Sequence, residues 1–172
     1  MSEQRDGSAE TGLNSLRTGS ESGEIAENTR FAPGIALHAD PDLGVGGAWR
    51  SPAGRLLELE VATQGSGQWI GLHIRLAPEA AGIAFVGFAC RSAAPREIMV
   101  RPCLRSATGD GFADHFFPRH ILAVPEALTH VDALHLPTTS AVPETAPWRE
   151  LVLFLPRESF TWHLHDLRLF AE

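Results

Sequence analysis

The stretch RLLELEVATQGSGQWIGLHIRL, residues 55–76, decides the fold. In its first half Leu57, Leu59 and Val61 alternate with Glu58 and Glu60; in its second half Ile70, Leu72, Ile74 and Leu76 alternate with Trp69, Gly71, His73 and Arg75. A repeat of two is that of a β-strand, whose successive side chains point to opposite faces, so each half buries one face. Gln64-Gly65-Ser66-Gly67 parts the two halves and reads as a turn.

The same signal recurs along the chain. Short apolar runs lie at Gly34–His38, Ala48–Arg50, Arg55–Ala62, Trp69–Leu76, Ile83–Cys90, Glu97–Arg105, Phe112–Phe117, His120–Val124, His130–Leu136, Glu150–Leu155 and Phe160–Phe170, most of them of strand length. In the run from Glu150, the set Leu151, Leu153 and Leu155 opposes Val152 and Phe154, a strand apolar on both faces. Turn-forming breaks separate the runs: Ser51-Pro52-Ala53-Gly54, Ala77-Pro78, Ala94-Pro95, Gly109-Asp110-Gly111 and Pro156-Arg157. Gly44-Val45-Gly46-Gly47 reads as a loop, with no helix after it to make a phosphate cradle. No apolar stripe of helical period lasts three turns, and Pro125–His130 is the best helical candidate, a single turn. Many short strands in a chain with 12 Pro and 16 Gly predict an antiparallel β-sandwich or barrel.

With 172 residues, 44% hydrophobic and 20% charged, the chain suits one domain with a buried core. Residues 1–30 differ in composition: rich in Gly, Ser, Glu and Thr, with Leu13, Leu16 and Ile25 as the large apolar residues beyond Met1. That composition predicts a flexible, disordered acidic arm, with the folded domain running from Phe31 to Glu172. A formal net charge of -7 argues against a nucleic-acid partner, which requires a basic surface. No apolar run approaches the ~18–20 residues of a membrane span, and the polar N-terminus shows no secretory leader, so a cytoplasmic location is the default expectation. All 14 basic residues are Arg, which excludes lysine-based Schiff-base and P-loop chemistry.

The chemistry-bearing residues fall into three groups. Eight His include His163-Leu164-His165, two imidazoles on one strand face as in some metal sites, while His115, His120, His130 and His135 join them only if the fold converges their strands. Cys90 and Cys103 lie in consecutive runs; a hairpin near Ala93–Arg96 would place Cys90 opposite Met99, which predicts separate, reduced thiols. The densest polar-aromatic stretch is Arg101–Phe117, in which Arg101 and Arg105 share a strand face and Asp110, Asp114 and His115 follow. Arg105 has two readings there, a turn clamp on Asp110 or Asp114 or a ligand contact. Trp49, Trp69, Trp148 and Trp162 are each either core or a stacking platform for a sugar ring.

The C-terminal stretch WRELVLFLP (148–156) with FTWHLHDLRLF (160–170), together with WIGLHIRL (69–76), resembles the strands of galactose-binding-like β-jelly rolls, a superfamily that includes many carbohydrate-binding modules. The resemblance covers Phe31–Glu172 and implies an all-β antiparallel jelly-roll sandwich. For a non-catalytic glycan-recognition module of that kind, the polar-aromatic stretch supplies Arg101, Arg105, Asp110, Asp114 and His115 as ligand-binding residues, with Trp162 and His163 as neighbours if the last strand lies alongside. No cofactor or catalytic residue is expected. Pro41-Asp42 and Gly109-Asp110-Gly111 are candidate loops for the structural calcium known in that superfamily. Two other functions are open: an assembly or adhesion protein of a virus-like particle or surface complex, forming homo-oligomers through residues 1–30, and a cupin-like His-based metalloenzyme.

Overall fold

Side-chain alternation sends one face of each strand into a shared interior. The computed structural model describes residues 9–77 and 83–172. In chain order its elements are α1 (Ala9–Thr18), β1 (Glu21–Glu24), β2 (Asn28–Ala32), β3 (Ile35–Ala39), β4 (Val45–Ser51), β5 (Leu57–Thr63), β6 (Ile70–Arg75) and β7 (Phe85–Ala93). There follow β8 (Ile98–Thr108), β9 (Gly111–Phe116), β10 (Ile121–Ala123), β11 (Leu128–His135), β12 (Arg149–Phe154) and β13 (Phe160–Ala171). One sheet has the order β1-β4-β5-β13-β7-β11; the other has β10-β8-β12-β6-β3-β2, with β9 also paired to β8. The chain crosses between sheets at β1–β2, β3–β4, β5–β6, β6–β7, β7–β8, β10–β11, β11–β12 and β12–β13, so the strands form an antiparallel jelly-roll sandwich.

The expected faces are the observed ones. Leu57, Leu59 and Val61 are buried on β5, Ile70, Leu72 and Ile74 on β6, and Leu151 and Leu153 on β12. Trp162 and Phe88 are the largest fully buried side chains of the interior between the sheets. Each of the eleven expected runs overlaps a strand.

Four local expectations give way. Pro125–His130 is not a helical turn: Leu128, Thr129 and His130 already pair with Ser92, Arg91 and Cys90 of β7. The glycine-rich Gly44–Gly47 segment is not wholly loop, because β4 begins at Val45. Gly47 is required there by its φ of 127° and by the Glu60 carbonyl, which would lie 2.0 Å from an added Cβ. Cys90 and Cys103 do not share a hairpin, since β7 and β8 belong to different sheets; both thiols are free and buried. Pro78 of the expected Ala77-Pro78 break lies outside the described residues.

The fourth difference concerns residues 1–30. Residues 1–8 lie outside the described residues, but from Ala9 the segment is folded against the sandwich. Helix α1 buries Ala9, Leu13 and Leu16, and its Gly12 touches the Pro33 carbonyl so closely that a Cβ would sit 2.1 Å from the oxygen. Arg17 bonds Asp166 (3.0 and 3.1 Å) and the Leu167 carbonyl (2.6 Å), and Ser51 Oγ donates to the Leu16 carbonyl at 2.8 Å. Ile25 is 4% exposed, and β1 and β2 each close one sheet edge. The few apolar residues of the segment are thus its anchors, spaced three apart at Leu13 and Leu16 so that both meet the core from one helix face.

Gly12→Ala sets two effects against each other. Ala favours an isolated helix over Gly by about 1 kcal/mol, but its methyl collides with backbone at Pro33, so the thermal midpoint is expected to fall. Leu16→Ala is expected to cost about 2–5 kcal/mol in urea unfolding. A raised midpoint for Gly12→Ala, or an unchanged one for Leu16→Ala, would show that α1 does not pack on the sandwich.

Candidate functional site

The outward face of the second sheet gathers the side chains that alternate with its core residues. Register fixes their order across the strands: Phe112, Asp114 and Phe116 on β9; Arg101 and Arg105 on β8; Glu150 and Phe154 on β12; Gly71, His73 and Arg75 on β6; His38 on β3; Asn28 on β2. Arg105 lies directly opposite Asp114 on one side and Glu150 on the other, and Glu150 lies opposite Arg75.

Several charged groups on this face are tied to one another. Arg105 Nε and Nη2 donate to the two Asp114 carboxylate oxygens at 2.7 and 2.8 Å, a bidentate fork. Glu150 receives Arg75 Nη2 at 3.0 Å on one oxygen and His73 Nδ1 at 3.0 Å on the other. Burial alone would raise the Glu150 pKa, but the hydrogen bond from His73 and the charges of His73, Arg75 and Arg105 outweigh it and hold the group below its ordinary value. His38 stands edge-on to His73 (ring centroids 4.8 Å apart) and bonds Asn28 Oδ1 at 2.8 Å; burial, then the neighbouring His73, pushes its pKa down. His73 is 8% exposed, and its Nε2 has no hydrogen-bond partner among the described residues. These groups border a groove of about 260 Å³ between β2 and β12.

Rings lie beside the charges. The Arg105 guanidinium stacks 3.9 Å over Phe112, Arg101 4.3 Å over Phe116 and Arg75 4.7 Å over Trp148. Phe116 and Phe154 are 5.7 Å apart, and Phe112 and Phe116 are 54% and 40% exposed. Gly71 pairs with both His38 and Phe154 and leaves a gap between them, where a Cβ would come within 3.0 Å of Val152 Cγ1. Trp148 owes its place to its neighbour. Arg149 is 2% exposed and donates to the Pro143 carbonyl (2.7 Å), the Glu144 carbonyl (3.3 Å) and Ser106 Oγ, which ties the incoming loop to β8.

Of the seven residues expected to bind ligand, the structure brings Arg101, Arg105 and Asp114 together on this face. Arg105 does clamp Asp114, and the clamp forms part of the exposed surface. Asp110 sits exposed in the β8–β9 turn, and His115 points to the other side of β9, opposite Leu104. Trp162 and His163 belong to the other sheet: Trp162 is 0% exposed in the core, and His163 faces outward opposite Glu58. The residues that complete the face are His38, His73, Arg75, Phe112, Phe116, Trp148, Glu150 and Phe154. Trp148 was already a candidate platform in the sequence, and Phe112 and Phe116 lie in its polar-aromatic stretch; for the others the signal is strand parity, since His73 with Arg75, and Glu150 with Phe154, share the face opposite the core residues.

The remaining candidates do not assemble. His165 bonds Arg55, His120 Nδ1 lies 2.8 Å from Met99 Sδ, and His135 bonds Thr138. Among the described residues no three His, Cys, Asp or Glu come together as a metal site. Next to Pro41-Asp42, the Asp40 carboxylate is spent on the backbone N–H groups of Asp42 and Gln68 (3.0 and 2.7 Å). Burial pushes the Cys90 and Cys103 thiols up to about 12, which leaves both protonated at neutral pH.

The fold is that of an antiparallel β-sandwich shared with several solved modules. The chain is similar to a CBM4 structure (TM-score 0.65, 9% identity, 93% of this chain and 99% of that one). It is also similar to the CBM22-1 xylan-binding domain from Paenibacillus barcinonensis Xyn10C (TM-score 0.56, 11% identity, 88% and 92% covered). A third similar structure is the N-terminal cellulose-binding domain from Cellulomonas fimi β-1,4-glucanase C (TM-score 0.53, 16% identity, 86% and 96% covered). No family model and no curated protein matches the sequence.

Glu150→Gln tests the charge arrangement. Because the native pKa of Glu150 is depressed, its contribution is fully present above the ordinary value of 4.5 and is lost as pH falls through the native value. The unfolding free energy of Glu150→Gln is expected to lie about 1–3 kcal/mol below that of the unaltered protein at pH 7. In urea titrations the gap is expected to close as pH drops below 4.5. A gap that widens toward acid would contradict the Glu150–His73–Arg75 arrangement.

Proposed function

We propose that this protein is a non-catalytic carbohydrate-binding module that takes a glycan across the outward face of its second sheet. The observation that carries the reading is the alternation of ring faces with oriented polar groups on that face. Phe154, and the ring surface of Phe112, Phe116 and Trp148 that the guanidinium groups leave open, offer apolar area to the C–H side of a sugar ring. Arg101, Arg105, Glu150, His73 and Asn28 stand beside them as hydrogen-bond partners for hydroxyls. The six strands from β9 to β2 span about 24 Å at the usual spacing, room for several sugar rings. The likeness to xylan-binding and cellulose-binding domains of the same fold supports the choice of ligand class.

The carboxylates support binding rather than hydrolysis. Glycosidases need one carboxylic acid kept protonated near neutral pH. Glu150 is held the other way, as an anion, and Asp114 is locked in the Arg105 fork. The assembly reading is weaker, since α1 is packed into the sandwich and does not project from it as an anchor.

Isothermal titration of the full chain against a panel of soluble oligosaccharides tests the proposal. Binding without release of new reducing ends is expected. Phe116→Ala and Trp148→Ala are each expected to weaken it about tenfold or more with little change in thermal midpoint. Binding unaffected by both substitutions would move the site off this face, and hydrolysis of the ligand would overturn the non-catalytic reading.

A further inference from the structure

We propose that the glycan bound on this face is acidic and that Arg101 receives its uronate carboxylate. The inference rests on the glycan-binding reading above and adds the charge of the ligand. Three guanidinium groups, those of Arg75, Arg101 and Arg105, stand on β6 and β8 among the rings of the face. Arg75 is bonded to Glu150 at 3.0 Å, and Arg105 holds Asp114 at 2.7 and 2.8 Å. Arg101 is different. It is exposed, has its guanidinium carbon 4.3 Å over the Phe116 ring, and carries no hydrogen bond or ion pair among the described residues.

A guanidinium stacked on a ring keeps its N–H edge free, and that edge is a planar fork matched to a carboxylate. The fork is also in the right place. Arg101 pairs across the sheet with Phe154, and Phe154 lies 5.7 Å from Phe116, so the free donors border the two rings that would receive a sugar. A hydroxyl engages one donor and brings no charge, whereas a carboxylate engages two and neutralises the cation. The chain's net charge of -7 opposes a polyanion in general. Screening limits that repulsion to charges within about 8 Å at physiological salt, and near Arg101 the face's own carboxylates, Asp114 and Glu150, are already paired with cations.

The test uses the full chain in isothermal titration with oligomers of polygalacturonate, alginate and hyaluronan. Each is compared with its methyl ester, which keeps the backbone and removes the charge, and with neutral xylan and glucan oligomers. At least one free acid is expected to bind on the order of tenfold or more tighter than its ester, the scale of a charge-assisted hydrogen-bond pair. Arg101→Gln is expected to bring acid and ester within about threefold of each other, and added salt is expected to shrink the preference. Esters or neutral oligomers binding as well as the acids would overturn the acidic assignment and leave the glycan-binding reading standing. A preference that survives Arg101→Gln would overturn the role of Arg101 and likewise leave that reading in place. Binding of none of these ligands would overturn both.

Discussion

The carboxylate of Glu150 is the constraint around which the outward face of the second sheet is arranged. It stands on β12, between β8 and β6, where a neighbour is available on each side. A half-buried carboxylate must be matched by donors or it protonates. Arg75 and His73, both on β6, supply two donors, and Arg105 on β8 adds a nearby positive charge. The bond to Glu150 sets Arg75 over Trp148, and the Asp114 fork sets Arg105 over Phe112. Glu150, with Asp114 beside it, therefore holds cations and rings in a fixed order over several strands.

Behind this face the core does the positioning. The leucines of β12 and β6 that alternate with Glu150, Val152, His73 and Arg75 point between the sheets and lock the register, since a slip of one residue would turn the charged set inward. The buried guanidinium of Arg149 extends the same logic to the loop before β12. Its bonds to the Pro143 and Glu144 carbonyls settle backbone groups that would otherwise leave the loop, and hence Trp148, unsupported. At the opposite end of the chain, α1 is held by Leu13 and Leu16 in the core and by Arg17 on Asp166, beside the register shift in β13.

Strand identity was legible in the residues because alternation is a local property. Leu57, Leu59 and Val61 against Glu58 and Glu60 need no tertiary information to be read as one buried face and one wet one. The N-terminal segment was not legible in the same way. Leu13 and Leu16 offer too little apolar area to specify a helix alone, and they become structural only because Pro33, Ile35 and the sheet edge present a surface for them. Arg105 and Asp114 were close enough in sequence to be paired by a hairpin, and they are paired. Trp162 and His163 carried equally suggestive chemistry, yet their strand lies in the other sheet.

What the sequence by itself determined is the all-β class, the position of its main strands and which side of each strand is apolar, because side-chain direction follows directly from the period of two. Only the tertiary structure decided which strands are neighbours. That choice depends on crossovers between sheets, on contacts between residues as distant as Arg17 and Asp166, and on a register fixed by the whole core. The juxtaposition of His73, Glu150, Arg105 and Asp114 is a product of that pairing, from β6, β12, β8 and β9, and no local pattern encodes it.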